Sequence, residues 1–364
     1  MKKIKIIGTL SIAMFLVLLG ISIEQSCAET PKKIKLIFMN NWSPSIAWAP
    51  FWSAQRRFWP EENIEGEVRD GTGGADTVKA VAAGSAKAGY VNIDALHAIQ
   101  KGLPITIVAA GDQNTACMLY TLKRSGIKSL KDLEGRRVGQ YPFSSTLSPM
   151  SKAMLKKQNV DLSKINFINS RPGQGPTMLI GNKLDASLGM VGCQDVRLRA
   201  QGYETTTFPF KDYGLDLYGY LLIVNKEWET KIGHDGMVRF LRGVAKGFLL
   251  WKTDIEKSVD DIIYYRDMQK AKRKTHLSEY WAHRPRHSSP DLDKHGWGVI
   301  TEEKLRRTEN ILFNIGFLKK KIDIKEYYNI SYLMDPSVQK IAKKFVSTPI
   351  DPKAKEYYDA VTKK

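Results

Sequence analysis

Two tryptophans near the start of the chain, Trp42 in Asn41-Trp42-Ser43-Pro44 and Trp48 a turn later, offer flat apolar faces on which a planar molecule can stack. Both also suit plain core filling, the simpler use for Trp48. Gly71-Thr72-Gly73-Gly74-Ala75 opens a helical stretch. Glycine-rich backbone at a helix start can turn its N–H groups toward an anion or carboxylate, although a tight turn asks for the same glycines. Asn92 and Asp94 stand at the end of a short apolar run and bring hydrogen-bonding side chains there. Ser144, Ser145 and Thr146, after Pro142-Phe143, supply three hydroxyls at another helix start, one of which a cap would use. This is the chemistry of holding a small polar molecule, not of transforming one.

Reactive constellations are missing from the pattern. There is no convincing nucleophile–base pair, no Walker loop and no metal-ligand spacing. Four histidines, His276, His283, His287 and His295, crowd one proline-bearing segment, 274–298. His283 and His287 have the spacing of one helical face, but Pro285 between them breaks that helix, and no acidic or thiol partner is fixed nearby. The expectation is a binder, not an enzyme, with no cofactor and no metal. Cys117 and Cys193 lie in apolar contexts outside any CxxC pattern and read as free, buried thiols.

The elements that must position these residues alternate at short intervals. Lys33–Met39 reads as a strand, Ala47–Phe58 as a helix, and a strand at Val68 precedes the glycine turn and the helix Thr77–Ala83. Gly89–Asn92, the helix Ile93–Gln100 and Ile105–Ala110 continue the series, which calls for a parallel sheet with helices on both faces. The pattern restarts with a short helical turn at Ser129–Leu133 and runs through strands at Arg137–Gly139, Ile165–Ile168 and Ala186–Met190. Tyr220–Val224 is a strand that can return to the first sheet, and from Gly233 onward the chain is mostly helical and basic. Two lobes follow: 29–115 with 219–364, and 116–218. The crossovers fall near Gln113–Met118 and Tyr213–Gly219, where Tyr213, Tyr218 and Tyr220 can face a cleft from the hinge side. Sheets of this kind bind ligands beyond the carboxyl ends of their strands.

Composition narrows the class. Lys2, Lys3 and Lys5, the apolar run Ile6–Ile23 and the small-x-small triplet Ser26-Cys27-Ala28 read as an export leader, residues 1–28, cleaved near Ala28 to release a soluble, exported protein. The net charge of +18 is dispersed over the chain and lacks a basic stripe with interleaved aromatics, so nucleic acid is not an expected partner.

Several phrases then fall in order: Trp42-Ser43-Pro44, Ala49-Pro50-Phe51-Trp52, Val81-Ala82-Ala83-Gly84, Ser129-Leu130-Lys131-Asp132-Leu133-Glu134-Gly135 and Gly181-Asn182-Lys183-Leu184-Asp185-Ala186. Over residues 33–335 the chain resembles the periplasmic substrate-binding proteins of ABC importers, in the branch that serves nitrate, sulfonates, taurine and thiamine pyrimidine precursors. The resemblance implies an α/β fold of the type II periplasmic-binding-protein kind, two lobes joined by a two-strand hinge, closing on a small-molecule ligand. It also implies an inner-membrane ABC permease as partner, and a monomer. Asn41-Trp42-Ser43-Pro44 resembles the first-loop motif of the pyrimidine-precursor members, with Asn41 in place of the acid and Ser45 in place of the asparagine. Asp195 stands where those members carry a glutamate that meets the ligand's amino group. The ligand-binding set is therefore Asn41, Trp42, Ser43, Trp48, Gly73, Asn92, Asp94, Ser144, Ser145, Thr146, Asp195 and Tyr218. A pyrimidine-synthase enzyme of the same fold and an exported sensing module are the alternatives.

Overall fold

A computed structural model describes residues 31–42, 44–141, 147–171 and 173–363. The leader, Ser43, Ser144, Ser145 and Thr146 lie outside the described residues. Lys33–Lys364 form one compact unit.

Among the described residues, ten strands divide into two sheets. The first holds β1 (Ile34–Asn40), β2 (Ile64–Arg69), β3 (Ala88–Val91), β4 (Ile105–Ala110) and β10 (Leu221–Asn225), in the order β2-β1-β3-β10-β4. The second holds β5 (Cys117–Leu122), β6 (Arg137–Gln140), β7 (Asn166–Asn169), β8 (Ala186–Met190) and β9 (Thr205–Pro209), in the order β7-β6-β8-β5-β9. The two orders are the same arrangement: β6 matches β1, and β5 matches β10. β1 runs parallel to β2 and β3, and β6 parallel to β7 and β8. β10 is antiparallel to both its neighbours, and so is β5.

The sheets are thus mixed, a correction to the all-parallel expectation. The physical reason lies in the connectivity. β5 and β10 are the strands by which the chain arrives from the opposite sheet, so they enter against the direction of the βα units already there. Tyr220–Val224 does return to the first sheet, as β10.

Local patterning explains the strands. In β1 the row Ile34, Leu36, Phe38, Asn40 points inward, with exposed or half-buried residues between. β4, β5 and β10 are buried along their whole length: β5 and β10 have a strand on either side, and β4, at the sheet's edge, is bridged by Tyr328 and Gly298. The first helical segment carries a single π turn at Ala54–Phe58. It delivers Arg56 and Arg57 together onto the fully buried Asp261, with Arg57 Nε donating to Oδ2 at 2.7 Å.

One apolar core packs β1 against the long helix Lys226–Thr253 through Phe38, Phe51, Trp52, Trp59, Phe240 and Phe248. A second runs through both sheets, joining Ile105 and Ile107 of β4 to Cys117 and Leu119 of β5. Each such side chain contributes about 1.5–3 kcal/mol on full burial, so the crossover region is part of a core and not a loose linker.

Candidate functional site

The ends of β1 and β3 form one wall. Asn40 closes the inward row of β1 and is fully buried, yet neither Nδ2 nor Oδ1 has a hydrogen-bond partner. A buried amide left unmet costs about 1–3 kcal/mol. Next to it, Asn41 Nδ2 donates to the Tyr220 hydroxyl at 3.2 Å while its Oδ1 is buried and unmet.

Asp94, the first residue of the helix Asp94–Gln100 that follows β3, belongs to the same wall. A methyl group on Gly74 would overlap Asp94 Oδ2 and lie 3.1 Å from Asn41 Oδ1. Glycine at 74 therefore lets a carboxylate and an amide oxygen converge beside the start of the helix Gly74–Ala82. Gly73 has a different reason: its φ of +148° is reserved for glycine. Burial raises the Asp94 carboxyl to about 6, opposed only by a hydrogen bond from its own backbone.

Trp42 is 41% exposed and keeps an open face. Trp48 does not. It is buried edge-on against Tyr220 (ring centroids 4.8 Å apart) and Tyr90 (5.7 Å), so it supports the wall from the core. Asn92 is turned inward: its Oδ1 accepts from the Ile93 N–H at 2.8 Å and its Nδ2 approaches Cys117 Sγ at 4.0 Å.

In the second sheet the strand equivalent to β1 ends in the same way. Gln140 Oε1 accepts from the Ser151 hydroxyl at 3.1 Å, but its buried Nε2 has no partner. Asp195 is buried at the start of the helix Gln194–Ala200, where Oδ1 accepts from the Gly192 N–H at 3.0 Å. It braces its own loop, and burial raises its carboxyl. Tyr218 corrects the cleft expectation. It is fully buried in the second core, and its hydroxyl accepts from the Thr301 N–H at 2.9 Å. That bond holds the chain before β10 to the C-terminal helices.

Sequence reasoning missed the tie across the crossovers. Asp112, just after β4, is buried against Arg286, whose Nε donates to Oδ2 at 2.8 Å. The Tyr90 hydroxyl donates to Asp112 Oδ1 at 3.2 Å. Asn114 Nδ2 donates to the carbonyls of Pro285 (2.8 Å) and Ser288 (2.7 Å), and His287 Nδ1 lies 3.0 Å from the Gly111 carbonyl. The histidine-rich segment is thus a strap across the outgoing crossover. A buried arginine with a buried aspartate has no local signature, since its partners are 174 residues apart.

The histidines require a second correction. His283 does have a thiol and an acidic neighbour: Cys193 Sγ lies 3.4 Å from His283 Nε2, and Glu279 joins them. Glu279 and His283 share one face of the helix Arg273–His283 by their i, i+4 spacing, a signal present in the sequence; Cys193 comes from the second sheet's side. Cys117 and Cys193 are both free, the first buried and the second half-buried.

The family described as NMT1/THI5 like matches residues 47–254. The chain belongs to that family. The formylaminopyrimidine-binding protein of Halalkalibacterium halodurans is 23% identical over 252 residues, 68% of this chain and 74% of that protein. The 4-amino-5-hydroxymethyl-2-methylpyrimidine phosphate synthase of Schizosaccharomyces pombe is 26% identical over 169 residues, 45% of this chain and 47% of the synthase. Among solved structures, the periplasmic aliphatic sulphonate binding protein SsuA of Escherichia coli superposes with a TM-score of 0.63 at 16% identity, covering 82% of this chain and 97% of that one. The NMT1/THI5-like chain therefore has the periplasmic-binding-protein fold, two mixed α/β sheets with helices.

Proposed function

We propose that this protein is an exported solute-binding protein that captures a small planar or anionic organic molecule between its two sheets and delivers it to an ABC-type importer. The observation that carries the reading is the pair of unmet buried amides, Asn40 at the end of β1 and Gln140 at the end of β6. These are equivalent strands of two equivalent sheets. Polar groups waiting at the carboxyl ends of matching strands suit a ligand held from both sides. The lobes in this reading are 29–115 with 219–364, and 116–218. Asp112, Arg286 and Asn114 steady the crossovers about which they would close.

Asn41, Asp94 and the 73–74 turn supply hydrogen-bonding groups, and Trp42 a stacking face. Ser43, Ser144, Ser145 and Thr146, which lie outside the described residues, belong to the same proposed set on the sequence alone. The binding relative favours a pyrimidine precursor, whereas the sulphonate-binding neighbour favours an anion. Export fits both; among the described residues no helix is long and apolar enough to cross a membrane.

The test is a thermal-shift screen against pyrimidines, alkanesulfonates and nitrate, because a ligand that binds only the folded state must raise the melting temperature. A pyrimidine or anion should raise it in a concentration-dependent way; no response from any class would defeat the reading. The synthase relative supports a second reading, an enzyme of the same fold. Recovery of chemically altered ligand from the purified protein would establish it, and recovery of unchanged ligand would favour the binder.

A further inference from the structure

We propose that Cys193, Glu279 and His283 form a binding site for a borderline-soft divalent cation of the zinc class, bridging the second sheet's region to the C-terminal helices. Each residue offers one donor atom, and the three atoms lie within 4.8 Å of one another. Zinc–sulfur and zinc–nitrogen bonds of about 2.3 and 2.0–2.1 Å at a tetrahedral angle place S and N roughly 3.5 Å apart. Cys193 Sγ and His283 Nε2 already stand at 3.4 Å.

Two of the three donors are buried where water competes poorly, and Cys193 is half-buried. Glu279 and His283 are fully buried. Arg197 Nε donates to Glu279 Oε1 at 2.5 Å and orients the carboxylate, while Oε2 is left buried with no partner. An unmet carboxylate oxygen beside a thiol and an imidazole is costly unless a cation or proton joins it.

The chemistry selects the metal class. Thiolate and imidazole favour zinc-class ions, whereas calcium and magnesium prefer all-oxygen sets. Three protein ligands leave a fourth position for water or a bound molecule, and Arg197 serves as the outer partner that fixes one ligand's orientation. Cys193 is the N-cap of the helix Gln194–Ala200, and Glu279 and His283 lie in the C-terminal half of the helix Arg273–His283, so an ion here would tie two elements from distant parts of the chain.

The test uses the full chain stripped of metal and titrated with Co²⁺ and Zn²⁺. One equivalent of Co²⁺ should produce tetrahedral visible bands and a thiolate charge-transfer band, both displaced by Zn²⁺. Cys193→Ser should abolish the charge-transfer band and weaken Zn²⁺ binding by more than the about 10–100-fold lost with an outer-shell partner. Cys117→Ser should leave both unchanged. His283→Gln, checked for folding by circular dichroism, gives a second loss in the same direction. Absence of a stoichiometric band, or its persistence in Cys193→Ser, overturns the proposal. The ligand screen on metal-free protein is read separately, so failure of this site and failure of the solute-binding reading are distinguishable.

Discussion

Replacing Asp94 by asparagine keeps the shape of the side chain and removes its charge, which isolates the cost of that charge. In the folded protein burial raises the carboxyl from 3.8 to about 6. Each unit corresponds to 1.36 kcal/mol, so an ionised Asp94 destabilises the empty protein by up to about 3 kcal/mol. The half-buried setting of the residue makes this an upper figure. Between pH 4 and 6 the folded state keeps a proton that the unfolded chain has released, so stability falls as pH rises through that window. Above pH 6 both states are ionised and the cost is constant. Asp94→Asn should therefore match the parent near pH 4 and exceed it by as much as about 3 kcal/mol at pH 7. Urea unfolding from pH 4 to 7.5, with ligand affinity measured in parallel, tests this. Stability curves that run parallel across the range would refute the claim that Asp94 is held against its charge, and with it the reading of the wall as a built polar site.

Other perturbations separate the site from its supports. Gly74→Ala should weaken ligand binding at least tenfold by pushing Asp94 Oδ2 and Asn41 Oδ1 apart; calorimetric titration with the screened ligand would show it, and unchanged affinity would count against their convergence as a binding feature. Trp42→Ala should cost about 1–3 kcal/mol of binding and little apo stability, since the ring is partly open to solvent. Asp112→Ala should cost about 3–5 kcal/mol of folding stability by leaving Arg286 buried without its carboxylate; urea unfolding would check it, and a change within experimental error would remove Asp112 from the crossover tie. Tyr218→Phe should cost about 0.5–1.5 kcal/mol of stability through loss of the bond from Thr301, with affinity unaltered.

How much of this was legible beforehand depends on the range over which each interaction acts. The alternation in Ile34–Asn40 announces a strand because a pleat sends every second side chain to the same face. The positions of the glycine turn at 73–74 and the acid at 94 could be read because each follows a run that forms a strand, β2 and β3, whereas a plain turn or helix start asks for the same residue types. The family phrases, the return strand at 220–224 and the likeness to binding proteins were equally readable along the chain. Trp48 and Tyr218 show the limit. An aromatic near a strand end looks the same whether it lines a cleft or fills a core, and the packing of Tyr220, Tyr90 and Thr301 around them settled which.

The folded structure alone decided three further matters. It made β5 and β10 antiparallel, because the direction of an arriving strand depends on which end of the other sheet the chain leaves. It paired Asp112 with Arg286 across 174 residues, and it set Cys193 beside Glu279 and His283. Spacing along a chain reports faces of single helices and strands, since those repeat every few residues. Which faces then meet is settled by the packing of whole elements, and that has no period in the sequence.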